Sequence, residues 1–360
     1  MSTQITNYQC PNCTGPLHFA GASGQLECDF CGAKFDVAVI EQLYADREQA
    51  AAAAGTEPQW DFTVDGNWSA EEAARMRSYS CPSCGAGIIC DDTTAATSCP
   101  YCSNPTVVPG QFSGQLRPDF VIPFKLDKNA AVAALKKYYK GKKFLPKSFS
   151  DANHIEEIKG IYVPFWLFDG ESDASMRFAG AKVHMHKQGE YEVTVTEHYR
   201  VAREGSVAFQ RVPVDASSKM PDAHMDAVEP FNYAELVPFS SAYLPGYLAD
   251  KYDVDAKTSA ARANARIKES TERAFASTTS EYSMLKPEYS YIELKKSSVK
   301  YAFLPVWLLS TKWRDNNYLF AMNGQTGRLI GDLPIDRGKY WTWFAAVALP
   351  LMAILALIVL

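Results

Sequence analysis

One cysteine pattern occurs twice in the first third of the chain, and it restricts what the chain can fold into more than any other feature. Each copy reads C-x2-C, then fourteen residues, then C-x2-C, and every cysteine of the first copy recurs 71 positions later. Two Cys-x-x-Cys turns supply four thiolates, the ligand set that zinc takes in tetrahedral structural sites. We therefore predict two Zn²⁺ ions, one in each copy. The predicted ligands are Cys10, Cys13, Cys28 and Cys31 in the first copy and Cys81, Cys84, Cys99 and Cys102 in the second.

The residues inside each copy favour a zinc ribbon, a small β element that metal holds together. In the first copy, "LHFAGASGQLEC" predicts a strand, a Gly/Ser turn and a returning strand. Such an element buries too little apolar surface to fold unaided, so metal ligation would supply its folding free energy. We predict zinc ribbons at residues 1–40 and 79–110. Thr14 of the first ribbon stands where the second has Gly85, a difference that affects turn geometry more than ligation.

Three alternatives to structural zinc compete for these cysteines. Disulfides are disfavoured because the N-terminal "MSTQITNYQC" lacks the charged and apolar regions of a secretory signal, so the thiols should stay reduced. Iron in a rubredoxin-like site is the main competing occupant, since it also takes four thiolates. Redox catalysis would favour a single Cys-x-x-Cys on a βαβ unit. Cys90 has Phe19 as its counterpart and is predicted to pack as a small apolar residue, with a reactive thiol as the alternative.

The C-terminal end of the chain is predicted to cross a membrane. It reads "YWTWFAAVALPLMAILALIVL", twenty-one residues without a charge, which measure about 31 Å as a helix. Aromatic residues at its start suit the membrane interface, and the basic Arg337 and Lys339 mark the cytoplasmic side. We expect a single-pass helix over 337–360, tail-anchored in the cell membrane, with the preceding domains in the cytoplasm; Pro350 is tolerable in such a span. A helix buried in a soluble core is the alternative. The aromatic residues are Tyr340, Trp341, Trp343 and Phe344.

The rest of the chain is predicted to form a helical linker and one larger domain. In the linker, 41–78, one helix should end at Gly55, and Ser69 with Glu72 predicts the capping box of a second. Residues 111–336 alternate apolar and polar stretches between turns, which predicts antiparallel hairpins in a β-rich α+β domain. The order of "VIPF", a helix and "YVPFWLF" is repeated by "LVPF", a helix and "FLPVWLL". This repetition suggests two related halves, 115–230 and 231–336.

The sequence contains no recognisable catalytic motif, and we expect a protein that is not an enzyme. It lacks a phosphate-binding Gly-x-x-x-x-Gly-Lys, a dinucleotide-binding Gly-x-Gly-x-x-Gly and a Gly-x-Ser-x-Gly nucleophile turn. His184 and His186 share one face of a predicted strand and could bind a metal, but a surface position is favoured because no third ligand accompanies them. Glu156 and Glu157 are predicted to be a solvated surface rather than an acid/base pair.

Charge distinguishes between classes of partner. Residues 1–110 carry thirteen acidic and four basic side chains, a net charge of −9, which disfavours nucleic acid because phosphate binding rests on Lys and Arg. The remaining residues have a net charge of +4 and include a lysine cluster. That cluster could contact anionic lipid headgroups, but basic side chains that complement a helix C-terminus are the favoured interpretation. Its members are Lys136, Lys137, Lys140, Lys142, Lys143 and Lys147.

Several stretches, taken in order, resemble one bacterial protein group. They are "CPYCSNPTVVPGQF", "VIPFKLDKNAAVAALKKYYKGK", "NHIEEIKGIYVPFWLFDG", "PFSSAYLPGYLADKYDV", "LPVWLLSTKW" and "FAMNGQTGRLIGDLP". They are similar to membrane-anchored double zinc-ribbon proteins with transcription-factor-type (TFIIB-type) ribbons, and the resemblance covers nearly the whole chain. Those proteins are encoded beside phage-shock-protein-A-like and SPFH-domain (flotillin-related) proteins. The resemblance implies a membrane platform that recruits the SPFH partner, and through it the phage-shock protein, in envelope-stress defence.

Together these observations predict a membrane-anchored zinc-ribbon adaptor without a small-molecule substrate. The ribbons would dock a protein partner, and the central domain would engage a membrane co-partner or lie on the bilayer. A membrane-tethered nucleic-acid-binding protein is the alternative function, and it predicts an affinity that falls steeply with salt. A redox or metal-handling protein is a third, which predicts thiols that cycle or exchange metal.

Overall fold

The structure, a computed structural model, describes residues 8, 10–11, 16–21, 23–44, 60–64, 66–112, 116–314 and 316–359. Its helices are α1 (37–44), α2 (Ala70–Ala74), α3 (Lys128–Tyr139), α4 (Ala152–Ile155), α5 (Asp222–Val228), α6 (Ala256–Ser277) and α7 (Arg337–Val359). Its strands are β1 (Leu17–Ala20), β2 (Gln25–Cys28), β3 (Lys34–Phe35), β4 (Met76–Ser80), β5 (Gly87–Asp91), β6 (Val108–Gly110), β7 (Phe120–Val121), β8 (Lys159–Gln188), β9 (Tyr191–Asp215), β10 (Val237–Pro238), β11 (Leu248–Asp250), β12 (Met284–Trp313), β13 (Asn316–Asn323) and β14 (Leu329–Gly331). Helices and strands alternate in one mixed architecture, which confirms the predicted α+β class.

The chain divides into two compact units. Unit 1 contains Met1–Gln59, Ser172–Val207 and Lys268–Lys295, and unit 2 contains Trp60–Glu171, Ala208–Ile267 and Lys296–Leu360. Strands β8, β9 and β12 and helix α6 each contribute residues to both units. The domain borders and the two related halves inferred from the sequence stay predictions.

Unit 1 contains the first cysteine pattern on a small antiparallel sheet with the strand order β1-β2-β3. Strands β1 and β2 pair from Leu17↔Cys28 to Ala20↔Gln25, as the strand, turn and strand pattern predicted. Gly24 has a φ of 70° in the turn, a left-handed conformation that glycine adopts without a steric penalty. Leu26 of β2 packs with Ile40 and Leu43 of α1. Residues 45–59, where the sequence predicts that this helix continues to Gly55, lie outside the described residues.

Unit 2 is built on a large mixed sheet with the strand order β10-β7-β12-β8-β11-β5-β4-β6. Strands β7 and β12 run parallel, as do β8 and β11, whereas β4/β5 and β12/β13 are antiparallel. The antiparallel expectation therefore holds for the hairpins and not for the two parallel pairs. Turn residues in the sequence predict only the antiparallel pairing of strands that follow one another in the chain. Parallel strands are joined by long crossover connections, and turn residues therefore do not predict their pairing.

The two Pro-Trp segments "YVPFWLF" and "FLPVWLL" lie in β8 and β12, which are neighbours in this sheet. Their residues are buried almost without interruption because the sheet is covered on both faces. Alternate side chains point to opposite faces: Val306 and Leu308 join one apolar cluster, whereas Trp307 and Leu309 join another with Leu135 of α3.

The second cysteine pattern is incorporated into this sheet. Strand β5 lies between β4 and β11, with Ile89 opposite Ala249. Cys81, Cys99 and Tyr101 belong to the same buried cluster as Val163 of β8. The second ribbon is therefore part of the core of unit 2.

Helix α2, near the start of unit 2, and helix α7, at its end, both agree with the sequence. The Ser69 side chain accepts a hydrogen bond from the Glu72 N–H, and the Glu72 side chain accepts one from the Ser69 N–H, so the predicted capping box is confirmed. Helix α7 contains a stretch, Arg337–Ala356, that is long and apolar enough to cross a membrane, and none of that stretch is buried against the protein. Asp336 caps it by accepting hydrogen bonds from the N–H groups of Gly338 and Lys339 at 3.0 and 3.3 Å.

Candidate metal centres

Two tight turns present the four cysteines of the second set. In the first turn the Cys81 N–H donates to the Ala86 carbonyl at 2.9 Å, and the Gly85 N–H donates back to the Cys81 carbonyl at 2.9 Å. In the second turn Cys99 pairs with Asn104 and Ser103 in the same way, at 2.9 and 3.0 Å. Gly85 and Ser103 have φ values of 73° and 58°. This left-handed residue closes each turn and directs both cysteines of a pair to one side.

The four thiols converge on one point. The Sγ atoms of Cys81 and Cys102 lie 3.6 Å apart, as do those of Cys84 and Cys99, and all four Sγ atoms lie within 4.8 Å of one another. Zn–S bonds of about 2.3 Å at tetrahedral angles give S···S distances of about 3.8 Å. Disulfide sulfurs would lie about 2.05 Å apart. The set has the size of a tetrahedral four-thiolate metal site, which suits zinc and equally iron.

The first set repeats this arrangement in unit 1 as far as it is described. Cys10, Cys28 and Cys31 lie with their Sγ atoms within 4.8 Å of one another, and Cys10 and Cys31 are separated by 3.6 Å, as their counterparts are in the second set. The Cys28 turn also has the hydrogen bonds of the later turns, with Gly32 at a φ of 71°. Cys13 and Thr14 lie outside the described residues. These three cysteines could hold a metal ion, and the fourth ligand stays a prediction.

The protein environment shifts the pKa values of the thiols in the second set in different directions. Burial raises the pKa of Cys81, but hydrogen bonds from the backbone N–H groups of Cys84 and Ser83 outweigh it and lower the pKa to about 7. Burial raises the pKa values of Cys84 and Cys99. Only thiolates bind metal, so metal binding would drive protons off these buried thiols and be favoured as pH rises. Cys81 would therefore ionise before Cys84 and Cys99.

Lys159 places a positive charge beside the second set, a contact that the sequence analysis missed. Its Nζ donates to the Ser98 carbonyl at 2.8 Å and also contacts the Ser98 hydroxyl. Burial lowers the pKa of Lys159, while the charge of Cys99 acts in the opposite direction. Four thiolates around a divalent cation carry a net charge of −2, so a neighbouring ammonium would stabilise the loaded site. Lys159 follows Ser98 by 61 residues, and no local pattern connects them.

Asp250 is a second polar residue that the sequence analysis missed. It is 1% exposed on β11, opposite Ile88 of the second ribbon. The Ser217 hydroxyl donates to its Oδ2 at 2.5 Å. Burial raises the pKa of Asp250 to about 7, although the hydrogen bond from Ser217 favours the charged form. Burial and the nearby Asp250 charge raise the pKa of Tyr101, which lies between Cys99 and Cys102 in the sequence.

Equivalent positions of the two ribbons differ in exposure. Phe19 is 59% exposed, whereas its counterpart Cys90 is fully buried; Phe30 is 77% exposed, whereas its counterpart Tyr101 is 8% exposed. The Cys90 thiol donates to the Thr94 carbonyl at 3.0 Å, and burial raises its pKa to about 11. Cys90 therefore packs as the predicted small apolar residue, because a reactive cysteine needs exposure and a lowered pKa.

The other candidates from the sequence lie apart from these sets. His184 and His186 are exposed on β8, and His184 Nε2 lies 3.9 Å from a Glu197 carboxylate oxygen. Glu156 and Glu157 are also exposed, and each faces a basic partner, Lys136 at 3.8 Å and His154 at 3.0 Å. Within the described residues, the groups of three or more potential metal ligands are the two cysteine sets.

These features define a class: an α+β protein with two candidate thiolate metal centres and a C-terminal helix able to span a membrane. Over 344 residues the chain is 35% identical to the uncharacterized protein YdjG of Bacillus subtilis (strain 168), a match that covers 96% of this chain and 94% of the relative. The chain belongs to the same family as YdjG. No protein-family profile and no solved structure matches it.

Proposed function

We propose that this protein is a membrane-anchored zinc-ribbon adaptor that recruits an SPFH-type protein, and through it a phage-shock-type protein, to the cytoplasmic membrane during envelope stress. Both cysteine sets would hold zinc, with Cys13 completing the first. The partners come from the resemblance to double zinc-ribbon proteins, and the convergent thiols and the apolar helix α7 are compatible with it.

The difference in exposure between equivalent ribbon residues supports this proposal most directly. The second ribbon uses Cys90 and Tyr101 for packing in the core of unit 2, whereas the first presents Phe19 and Phe30 to solvent. Exposed aromatic side chains on a small rigid element are typical anchors of a protein interface. The first ribbon would therefore be the docking ribbon, and the second would stabilise the central domain.

The charge distribution supports both the proposed orientation of α7 in the membrane and the choice of a protein partner over nucleic acid. Arg337 and Lys339 at the start of α7 suit the cytoplasmic side of a bilayer. Residues 1–110, with a net charge of −9, would be repelled by phosphate backbones. A protein partner in the cytoplasm fits both features better than nucleic acid does.

A crosslinking pull-down of the full-length protein from its own membranes tests the proposal. Phe30→Ser should reduce recovery of an SPFH-type protein at least tenfold, the loss expected for a central aromatic anchor worth about 2 kcal/mol. Tyr191→Ser is the matched control, because Tyr191 is an equally exposed aromatic residue of unit 1, at 77%. Equal recovery with both variants would refute docking through the first ribbon, and salt-sensitive recovery of nucleic acid would favour the alternative function.

Metal analysis of the same samples separates the roles of the two ribbons. The wild type should hold about two zinc ions per chain, one for each set of four cysteines. Cys81→Ser combined with Cys84→Ser should remove one ion and destabilise unit 2. Cys90→Ser, a matched thiol replacement outside the set, should retain both ions. Iron in place of zinc, or no bound metal, would contradict the proposed cofactor.

A further inference from the structure

The segment after helix α3 packs against the start of α7. The Asp336 N–H donates to the Phe144 carbonyl at 2.8 Å, and Lys339 Nζ donates to the Leu145 carbonyl at 2.6 Å. The Phe144 ring meets the rings of Tyr340 and Trp343 edge to face, at centroid distances of 5.6 and 5.8 Å. These contacts hold residues 141–145 at the first turns of α7, where its apolar stretch begins.

A cavity of about 510 Å³ opens between these two segments. Leu333, Ile335 and Trp343 provide apolar lining, and Lys142 and Lys143 provide positive charge. Lys142 Nζ lies 5.2 Å from the Tyr138 ring centroid, and Lys143 Nζ lies 5.5 Å from that of Trp343. The cavity therefore combines a cationic rim with an apolar wall that continues onto α7.

Among the described residues, no carboxylate forms an ion pair with the two lysines of this rim, Lys142 and Lys143. By contrast, Lys136 pairs with Glu156. The nearby Asp336 carboxylate already accepts two N–H groups at the start of α7. An anionic group of a ligand would therefore meet two exposed ammonium groups, each of which lies over an aromatic ring.

We propose that this cavity binds one anionic glycerophospholipid. Its phosphate would lie between Lys142 and Lys143, and the upper part of an acyl chain would lie along Ile335 and Trp343. The inference rests on the proposed membrane span of α7, which would place the cavity at the level of the lipid headgroups. A bound lipid would link unit 2 to α7 and fix its orientation on the bilayer.

Lipid retention by the full-length protein tests this site. The protein is reconstituted in nanodiscs of equal phosphatidylglycerol and phosphatidylcholine, extracted in mild detergent and analysed by native mass spectrometry. The wild type should retain phosphatidylglycerol in preference to phosphatidylcholine. Lys142→Gln combined with Lys143→Gln should lower that preference about 25-fold, at about fivefold for each lysine near an anionic surface. Lys136→Gln combined with Lys137→Gln removes the same charge from the preceding helix and should preserve it.

The outcomes distinguish the site from the membrane anchor. Failure of the wild type to resist alkaline extraction from membranes would refute the proposed span. Resistance to extraction without preference for phosphatidylglycerol, or equal losses with both double variants, would refute only the lipid site. Displacement of the lipid by millimolar inorganic phosphate would identify a free-phosphate site and overturn the lipid assignment.

Discussion

Replacing the buried Asp250 with asparagine should make the stability of unit 2 less dependent on pH. The carboxyl is buried beside the second ribbon and accepts a hydrogen bond from Ser217 at 2.5 Å. An asparagine oxygen can accept the bond from Ser217 in nearly the same volume, and its amide group would take the place of the oxygen that interacts with Tyr101. The substitution therefore removes the titrating group, and the change in the Tyr101 contact should not depend on pH in this range. Any pH-dependent difference between the two proteins then reports the titration of Asp250.

The size and sign of the effect follow from the pKa of Asp250. Burial raises it to about 7, whereas an aspartate in the unfolded chain has a pKa of about 3.9. The folded state therefore binds the proton more tightly, and stability is lost as pH rises above about 4 until the loss levels off above about 7. Between pH 5 and pH 7 the wild type should lose about 2 kcal/mol relative to the variant, because the slope is about 1.4 kcal/mol per pH unit at pH 5 and falls to about half of that at pH 7.

Chemical denaturation of the full-length protein in detergent measures this difference at pH 5, 6, 7 and 8, with zinc in excess throughout. The free energy of unfolding of the asparagine variant should rise relative to that of the wild type up to pH 7 and change little above it. Asp253→Asn is the control, because Asp253 is an exposed carboxyl that also accepts a serine hydroxyl hydrogen bond, from Ser218. A difference between wild type and Asp250→Asn that is the same at all four pH values would refute the reasoning.

Three further substitutions test other parts of unit 2. Lys159→Gln should weaken zinc binding about tenfold in competition with a chromophoric chelator, as expected for removal of a group that supports metal ligands; an affinity equal to that of Lys137→Gln would contradict this role. Trp166→Ala should cost about 3–5 kcal/mol in denaturation because it empties a large buried volume, whereas the exposed Trp341→Ala should cost little. Ser69→Ala should cost about 1 kcal/mol by removing the cap of α2, and an unchanged midpoint would show that this helix does not depend on its cap.

The sequence was most informative where a local pattern dictates local geometry. The Cys-x-x-Cys pairs predicted turns that point two thiols to one side, and the described turns have that form. The capping box of Ser69 and Glu72 and the helices over α3 and α6 followed from similarly local signals. In each case the residues that determine the structure lie within one or two turns of one another.

The sequence was least informative where residues far apart in the chain meet. The parallel pairing of β8 with β11 joins Ile161 to Leu248, and Lys159 reaches Ser98 across 61 residues. Neither contact produces a periodic pattern in the sequence, because each depends on how separate strands assemble. The buried Asp250 was missed for the same reason, because its environment is supplied by neighbouring strands rather than by adjacent residues.

The two ribbons separate the features that the local sequence determines from those that only tertiary structure determines. By itself the sequence determined that both carry the same ligand spacing, because that spacing is contained within 22 consecutive residues, from Cys10 to Cys31 and from Cys81 to Cys102. It could not determine that Phe30 is exposed and Tyr101 buried. Tertiary structure decided that difference, because β11 pairs with β5 of the second ribbon and draws it into the core of unit 2. Burial is a property of the surfaces that meet, and those surfaces come from distant parts of the chain.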